Sequence, residues 1–416
     1  MAHVAYENFQ TDRPMTKVLQ DIRVVELGTF ITGPCAGMML ADLGADVIKV
    51  EQPGVGDPFR GYQGAQYSSQ FQTYNARKRS LALNLKSPHA KDILERLLSQ
   101  ADVLLENYRP GVLDKLGFGW DAVHQRHPRL VYCSVTGFGA TGPYVERPCY
   151  DTVAQALSGY LSQTMAPTPP RILGPAVADT VSGMYAAYGI LGALVERGRT
   201  QVGRRVEVAM LDSMVAFGAS AFAAYFADGQ VHGPISRPRT SQSYALQCAD
   251  GQWVALHLAS VDKFFQNLTT AVGHPEWASD TRFSSVLARQ THYEVLTGLL
   301  QAAFAQHSMA HWQTCLTEHD IPHAPIASID QVVADPQVVH NGVFTDLHHP
   351  TQGVVKNTQR PVLYDGQRSA SDMPPPMLGE HSRDVLHQLG FDSNAIDAFV
   401  REGAIASPKS PNTLTP

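Results

Sequence analysis

One acidic residue stands where two contrasting stretches meet. Gly174-Pro175-Ala176-Val177-Ala178 reads as a loop, and the apolar run from Met184 to Val195 reads as a helix. Asp179 falls between them, where a helix takes its N-cap. As a cap, its side chain would accept a helix N–H. As a nucleophile, it would be a carboxylate held ionised at the positive end of a helix dipole. The helix carries Gly183, Ala186, Ala187, Gly189, Gly192 and Ala193, so neighbouring backbones can approach closely. Tyr150-Asp151 precedes this loop. The pair reads either as a core tyrosine with a cap, or as groups that orient something bound near Asp179.

Other constellations are weaker. Arg77-Lys78-Arg79 is either a solvated edge or a phosphate clamp, since Arg suits bidentate phosphate contact and Lys a point charge. His340, His348 and His349 cluster without a helical His pair or matching carboxylates, so surface histidines are expected and no metal. No G-x-S-x-G elbow is present, which argues against a serine hydrolase. Gly28-Thr29-Phe30-Ile31-Thr32-Gly33-Pro34 matches neither the dinucleotide fingerprint nor a P-loop. Together with the turns at 107–111 and 137–143, it marks an edge where a ligand would lie.

The positioning elements alternate. A strand over 22–27, a helix over 35–43 and a strand over 46–50 form a β-α-β unit. A strand over 80–85, a helix from Ser87-Pro88, and strands over 102–106 and 130–135 continue it. This predicts an α/β fold with a doubly wound, Rossmann-like large domain whose ligand sits at the carboxyl ends of the strands. The expected organisation is a loose tail over 1–20, a large domain over 21–227, a smaller α+β domain over 228–325 and a return segment over 326–416. The 416 residues carry a net charge of −6, so no global field favours nucleic acid or an anionic membrane. Five cysteines without a C-x-x-C fit a reducing, cytoplasmic setting. The apolar stretch from Met210 to Phe226 is interrupted by Asp212, Ser213, Gly218 and Ser220, and reads as a buried helix rather than a membrane span.

Taken in order, several blocks resemble the family III CoA-transferases. They are Asp21–Leu27, Gly33-Pro34, Leu43–Glu51, Asn75 with Arg77–Ser80, Val103–Asn107, Arg109-Pro110-Gly111, Tyr150-Asp151 with Gln155, Ala178-Asp179 with Gly183, and Leu378-Gly379-Glu380-His381. The resemblance covers nearly everything after the first twenty residues and is nearest the branch handling dicarboxylic acyl groups. It implies that Asp179 attacks an acyl-CoA thioester, giving an aspartyl–acyl anhydride and then an aspartyl-CoA thioester. It implies an interlocked homodimer, CoA and acyl-CoA as substrates, and no permanently bound cofactor. By position it implies CoA contacts from Phe30, Ile31, Gln52, Asn107, Tyr108, Lys115 and Met210, with phosphates near Arg77, Lys78 and Arg79. Formyl-CoA transferases differ: they have Gln at the place of Ile31, Arg at the place of Gln52, and a run of glycines where this chain has Arg239-Thr240-Ser241-Gln242-Ser243-Tyr244. Related α-methylacyl-CoA racemases set a His opposite the Asp where Tyr150 stands. A tyrosine, with an ordinary pKa of about 10, is a poor base at neutral pH. That favours transfer over racemisation. A non-catalytic CoA-binding subunit is the other alternative, and the retained Asp179 argues against it.

Overall fold

Short strands of β-branched residues alternate with helices to build a parallel sheet, seen in a computed structural model describing residues 17–64, 67–167, 170–259, 261–368 and 372–407. Most of the expected loose tail lies outside these residues. Strands β1 (Arg23–Glu26), β2 (Asp46–Glu51), β3 (Lys78–Leu83), β4 (Val103–Glu106) and β5 (Val131–Thr136) are joined by a sixth, Arg205–Ala209. They lie in the order β3-β2-β1-β4-β5 followed by the sixth strand, all parallel. The short strand Ile405–Ala406 runs antiparallel along the free edge of β3. The chain winds outward from β1 through β3 and then returns to place β4 on the other side of β1. Between β1 and β4 the connections therefore leave in opposite directions and open a crevice at the carboxyl ends.

Alternation along the strands loads both faces. Val25, Ile48, Leu81 and Leu104 pack on Ile93 and Leu97 of the Ala90–Ser99 helix and on Leu386 and Phe399 of the C-terminal helices. Val24, Val47, Val103 and Val131 pack on Ala36 and Leu40 of helix α1 (Thr32–Asp42) and on Ala186 and Ile190 of the Val177–Thr200 helix. These last two helices touch at Gly183, where an added Cβ would lie 2.7 Å from Cβ of Cys35 and 2.9 Å from the Thr32 carbonyl. The small residue is thus needed within one chain, at the root of the helix that carries Asp179.

A row of charges lies inside the sheet on the α1 side. Lys49 Nζ, fully buried, meets Glu26 at 3.0 Å, Asp57 at 2.9 Å and the Gly28 carbonyl at 2.7 Å. Lys78 Nζ takes the other oxygen of Glu26 at 2.7 Å. Arg60 forks onto both oxygens of Glu51 at 2.7 and 2.8 Å and stacks 3.7 Å over the Phe71 ring. Three cations thus face three carboxylates at a depth where an unpaired charge would be costly. Gly37 leaves room for them, since a Cβ there would lie 1.9 Å from Glu26 Oε2.

The chain divides into two compact units. One comprises the chain up to Ser158, Gly174–Phe217 and everything from Asn341; the other comprises Gly159–Leu173 and Gly218–His340. The longer stretch of the second unit thus runs from Gly218 to His340, where the sequence suggested 228 and 325, and the unit also takes Gly159–Leu173, which the sequence reading placed in the large domain. Gly218 separates the helices Met210–Phe217 and Ala219–Asp228, and short helices at Ile329–Ala334 and Pro336–His340 extend the other end. The unit holds a three-stranded antiparallel sheet, with Trp253–His257 between Ser243–Gln247 and His323–Pro325. Helices carrying Phe265, Leu300, Phe304 and Trp312 complete its core.

Two local expectations need correction. The stretch read as one buried helix over 210–226 is two helices, and Ala219–Asp228 has no buried residue. No single helix among the described residues is long and apolar enough to cross a membrane. His349, expected at the surface, is buried edge-on against Tyr67 at 5.2 Å with Nε2 3.7 Å from Glu380, because its strand pairs inside the Phe344–Thr358 hairpin.

Candidate active site

The crevice between β1 and β4 is walled by the segments leaving the sheet. Thr29, Phe30 and Ile31 follow β1, Asn107, Tyr108 and Arg109 follow β4, and Thr136–Gly139 follow β5. Arg147–Tyr150, Asp179 and Met210 close a cleft of about 210 Å³. Asn107 fastens two walls together. Its Oδ1 accepts the Thr29 N–H at 2.9 Å, and its Nδ2 donates to the Thr29 carbonyl and to Thr32 Oγ1, both at 2.8 Å. Phe30 adopts a left-handed φ of 61°, rare for a residue with a side chain. Asp57 supports it by accepting the Phe30 N–H at 3.3 Å, and Asp57 is itself held by Lys49. The buried charges therefore set the shape of the cleft wall.

Asp179 is not the cap of its helix. The helix starts at Val177, and Asp179 sits within its first turn. The cap comes from elsewhere in the chain: Asp151 Oδ1 accepts the N–H groups of Ala178 at 2.8 Å and Asp179 at 3.2 Å. Gln155 fixes Asp151 by donating to its other oxygen at 2.5 Å. Sequence reasoning placed both acids near each other and missed which one does the capping, because a cap drawn from another element leaves no local pattern. Burial pushes the Asp179 carboxyl up to about 7, and the negative charge of Asp151 adds to the rise. Tyr150, 66% exposed, meets the Phe30 ring edge-on at 6.0 Å. The Cys149 thiol, in the same cleft, is pushed up to about 11 by burial and by Asp179.

Seven of the expected residues thus meet in one place: Phe30, Ile31, Asn107, Tyr108, Tyr150, Asp179 and Met210. Gln52 and Lys115 lie in a second cleft of about 380 Å³, floored by Val50, Leu83, Leu85, Val112 and Leu116. Tyr108 lines both clefts. Asn84 and Lys86 line the second as well, and sequence reasoning missed them. Their signal was available, as polar residues just beyond the carboxyl end of β3. Lys86 and Lys115 are exposed at its rim.

The three consecutive basic residues are elsewhere. Lys78 and Arg79 belong to β3 itself, which starts two residues earlier than expected. Lys78 is fully buried on Glu26, and Arg79 grips Asp46 at 2.8 and 2.6 Å. Arg77, 7% exposed, pairs with Asp42 at 2.9 Å. Carboxylates of the fold thus already pair with all three.

A doubly wound sheet with two clefts meeting at one tyrosine, one of them ending on a carboxylate, is the architecture of an α/β enzyme. The chain belongs to CoA-transferase family III, which it matches over residues 19–382. It is similar to the succinyl-CoA–D-citramalate CoA-transferase of Chloroflexus aurantiacus, at 32% identity over 89% of this chain and 94% of that one. It is equally similar to the human succinyl-CoA:glutarate CoA-transferase, at 32% identity over 95% and 92%. Among solved structures, a CaiB/BaiF family protein from Brucella suis superposes with a TM-score of 0.78 at 33% identity, covering 88% of this chain and 98% of that one. The protein is therefore an enzyme that moves CoA between an acyl-CoA thioester and a carboxylic acid.

Proposed function

We propose that the enzyme exchanges CoA between two dicarboxylic acids, with a donor such as succinyl-CoA, through covalent intermediates on Asp179. The observation that carries this reading is the Asp179 carboxyl itself: half-buried in the cleft and pushed up to about 7, so that its ionised form is present at neutral pH and more basic than an ordinary carboxylate. Asp179 attacks the thioester carbonyl. The C–S bond breaks, leaving an anhydride and the CoA thiolate. The thiolate attacks the aspartyl carbonyl, which releases the first acid and forms an aspartyl-CoA thioester. The acceptor carboxylate then repeats both steps in reverse order, and Asp179 is regenerated as a free carboxylate.

CoA itself fits the pair of clefts. The second cleft offers an apolar floor for a nucleotide base, with Lys86 and Lys115 at the rim for phosphates, and Gln52 beside them. The thiol arm passes Tyr108 towards Asp179. The enzyme works as a homodimer in this reading. On the Val177–Thr200 helix, Met184, Tyr185, Tyr188 and Val195 are 51%, 38%, 75% and 71% exposed along one side, an apolar stripe that a second copy would cover.

The decisive test is Asp179→Ala assayed with succinyl-CoA and a panel of acids. Transfer is lost while CoA still binds, and wild type treated with acyl-CoA and hydroxylamine carries a hydroxamate at Asp179 by peptide mass. Near-normal transfer by the variant would sink the mechanism. Solvent exchange of the α-proton of a 2-methylacyl-CoA without CoA transfer would make the protein a racemase.

A further inference from the structure

The cleft that ends at Asp179 holds two cationic side chains, Arg109 and Arg147. Arg109 also lines a neighbouring cleft of about 160 Å³, whose wall includes the acids Glu106, Asp114 and Asp121. Arg147 is placed differently. Its guanidinium lies 4.3 Å over the Tyr144 ring and 5.6 Å from the Phe138 ring, and those two rings meet edge-on at 5.6 Å. Stacking holds the flat group by its face and leaves its in-plane N–H donors available. Arg147 is exposed at the cleft wall, and among the described residues it has no carboxylate partner. It is not the counter-ion of Asp179, whose carboxyl is raised by burial and by Asp151 with nothing opposing. Arg147, Cys149 and Asp179 line the same cleft, so Arg147 shares the wall in which Asp179 stands.

A dicarboxylic substrate brings a specific need to such a site. Its reacting carboxyl becomes a thioester or an anhydride and loses its charge. Its distal carboxylate stays negative through every step, and leaving it unpaired in a half-buried cleft is costly. We propose that Arg147 is the specificity residue of this enzyme: it holds the distal carboxylate of the acyl group while the other end reacts at Asp179. This rests on the transferase reading above. A phosphate of CoA is the other anion that could reach a guanidinium, and the experiment separates the two.

In a substituted-enzyme cycle, kcat/KM for the acceptor is independent of the donor. The full-length protein, its Arg147→Gln variant and its Arg147→Lys variant would each be given succinyl-CoA and either glutarate or valerate, acids of equal chain length. Binding of free CoA would be followed by calorimetry. In wild type, glutarate is preferred. Arg147→Gln lowers the glutarate-to-valerate ratio of kcat/KM by about 10- to 100-fold, the worth of a charge-assisted contact, with CoA binding unchanged. Arg147→Lys keeps part of the preference. An unchanged ratio would overturn the proposal. So would an equal fall for both acids accompanied by weaker CoA binding, which would assign Arg147 to a phosphate. Failure of the transferase reading looks different: wild type would then convert neither acid.

Discussion

The Asp151 carboxylate accepts the N–H of Asp179 at 3.2 Å together with that of Ala178 at 2.8 Å. One acid closes the first turn of the helix that carries the other. The pair is thus joined twice, through a backbone hydrogen bond that orients Asp179 and through a like-charge repulsion that raises its carboxyl.

The two effects separate in Asp151→Asn, which keeps an acceptor oxygen and removes the charge. Transfer by wild type should rise with pH through about 7 as Asp179 ionises. In Asp151→Asn that midpoint moves to lower pH. Asp151→Ala loses the cap as well and costs about 1 kcal/mol of stability. Pre-steady-state acylation rates across pH 5–9 check this, and an unshifted midpoint in Asp151→Asn would refute the coupling.

Asp179 should weaken the fold it serves. Its folded-state carboxyl is raised above the ordinary carboxylate value. Between about pH 4 and 7 the folded state holds a proton that the unfolded chain has lost, so stability falls as pH rises through this window and stays reduced above it. Asp179→Asn removes the effect. Its melting temperature should exceed that of wild type by more at pH 8 than at pH 5, measured by thermal denaturation in matched buffers. A difference that is flat or reversed with pH would show that burial is not what raises the group.

Lys49→Met should be strongly destabilising, by about 3–5 kcal/mol in urea titrations, because it leaves Asp57 an uncompensated buried charge and Glu26 with Lys78 alone. It also removes the support beneath the Phe30 backbone, so any folded fraction should show a raised KM for acyl-CoA.

The lysines at the second cleft and the buried basic residues should behave oppositely. Lys86→Ala and Lys115→Ala each raise the KM for acyl-CoA several-fold with little change in melting temperature. Arg79→Ala lowers the melting temperature, since it removes one of the two arginines that hold Asp46, Arg23 being the other, and leaves that KM near wild type. Equal effects on KM from all three would return Arg79 to the substrate site.

The parallel sheet was legible because strand and helix periods alternate cleanly from Ile22 to Val135, and Asp179 because a loop gives way there to a small-residue helix. What escaped was everything set by contacts between elements. Lys49 and Lys78 lie inside strands and look like ordinary strand cations until the sheet brings Glu26 between them. Arg77-Lys78-Arg79 suggested a phosphate site because adjacency in sequence hides the alternation of strand faces. Asp151 could be paired with Asp179 only loosely, since nothing local says which carboxylate turns towards which N–H. Lys86 was overlooked because β3 ends earlier than its apolar run suggests.

Tyr108 lines both the cleft that ends at Asp179 and the cleft rimmed by Lys86 and Lys115. In the proposed cycle this shared wall makes the nucleotide a tether. When the C–S bond breaks, the thiolate stays leashed beside the aspartyl carbonyl, and its return attack is intramolecular at an effective concentration far above that of CoA in solution. The departing group is also the next reactant, and speed in returning is what protects a hydrolysable anhydride from water.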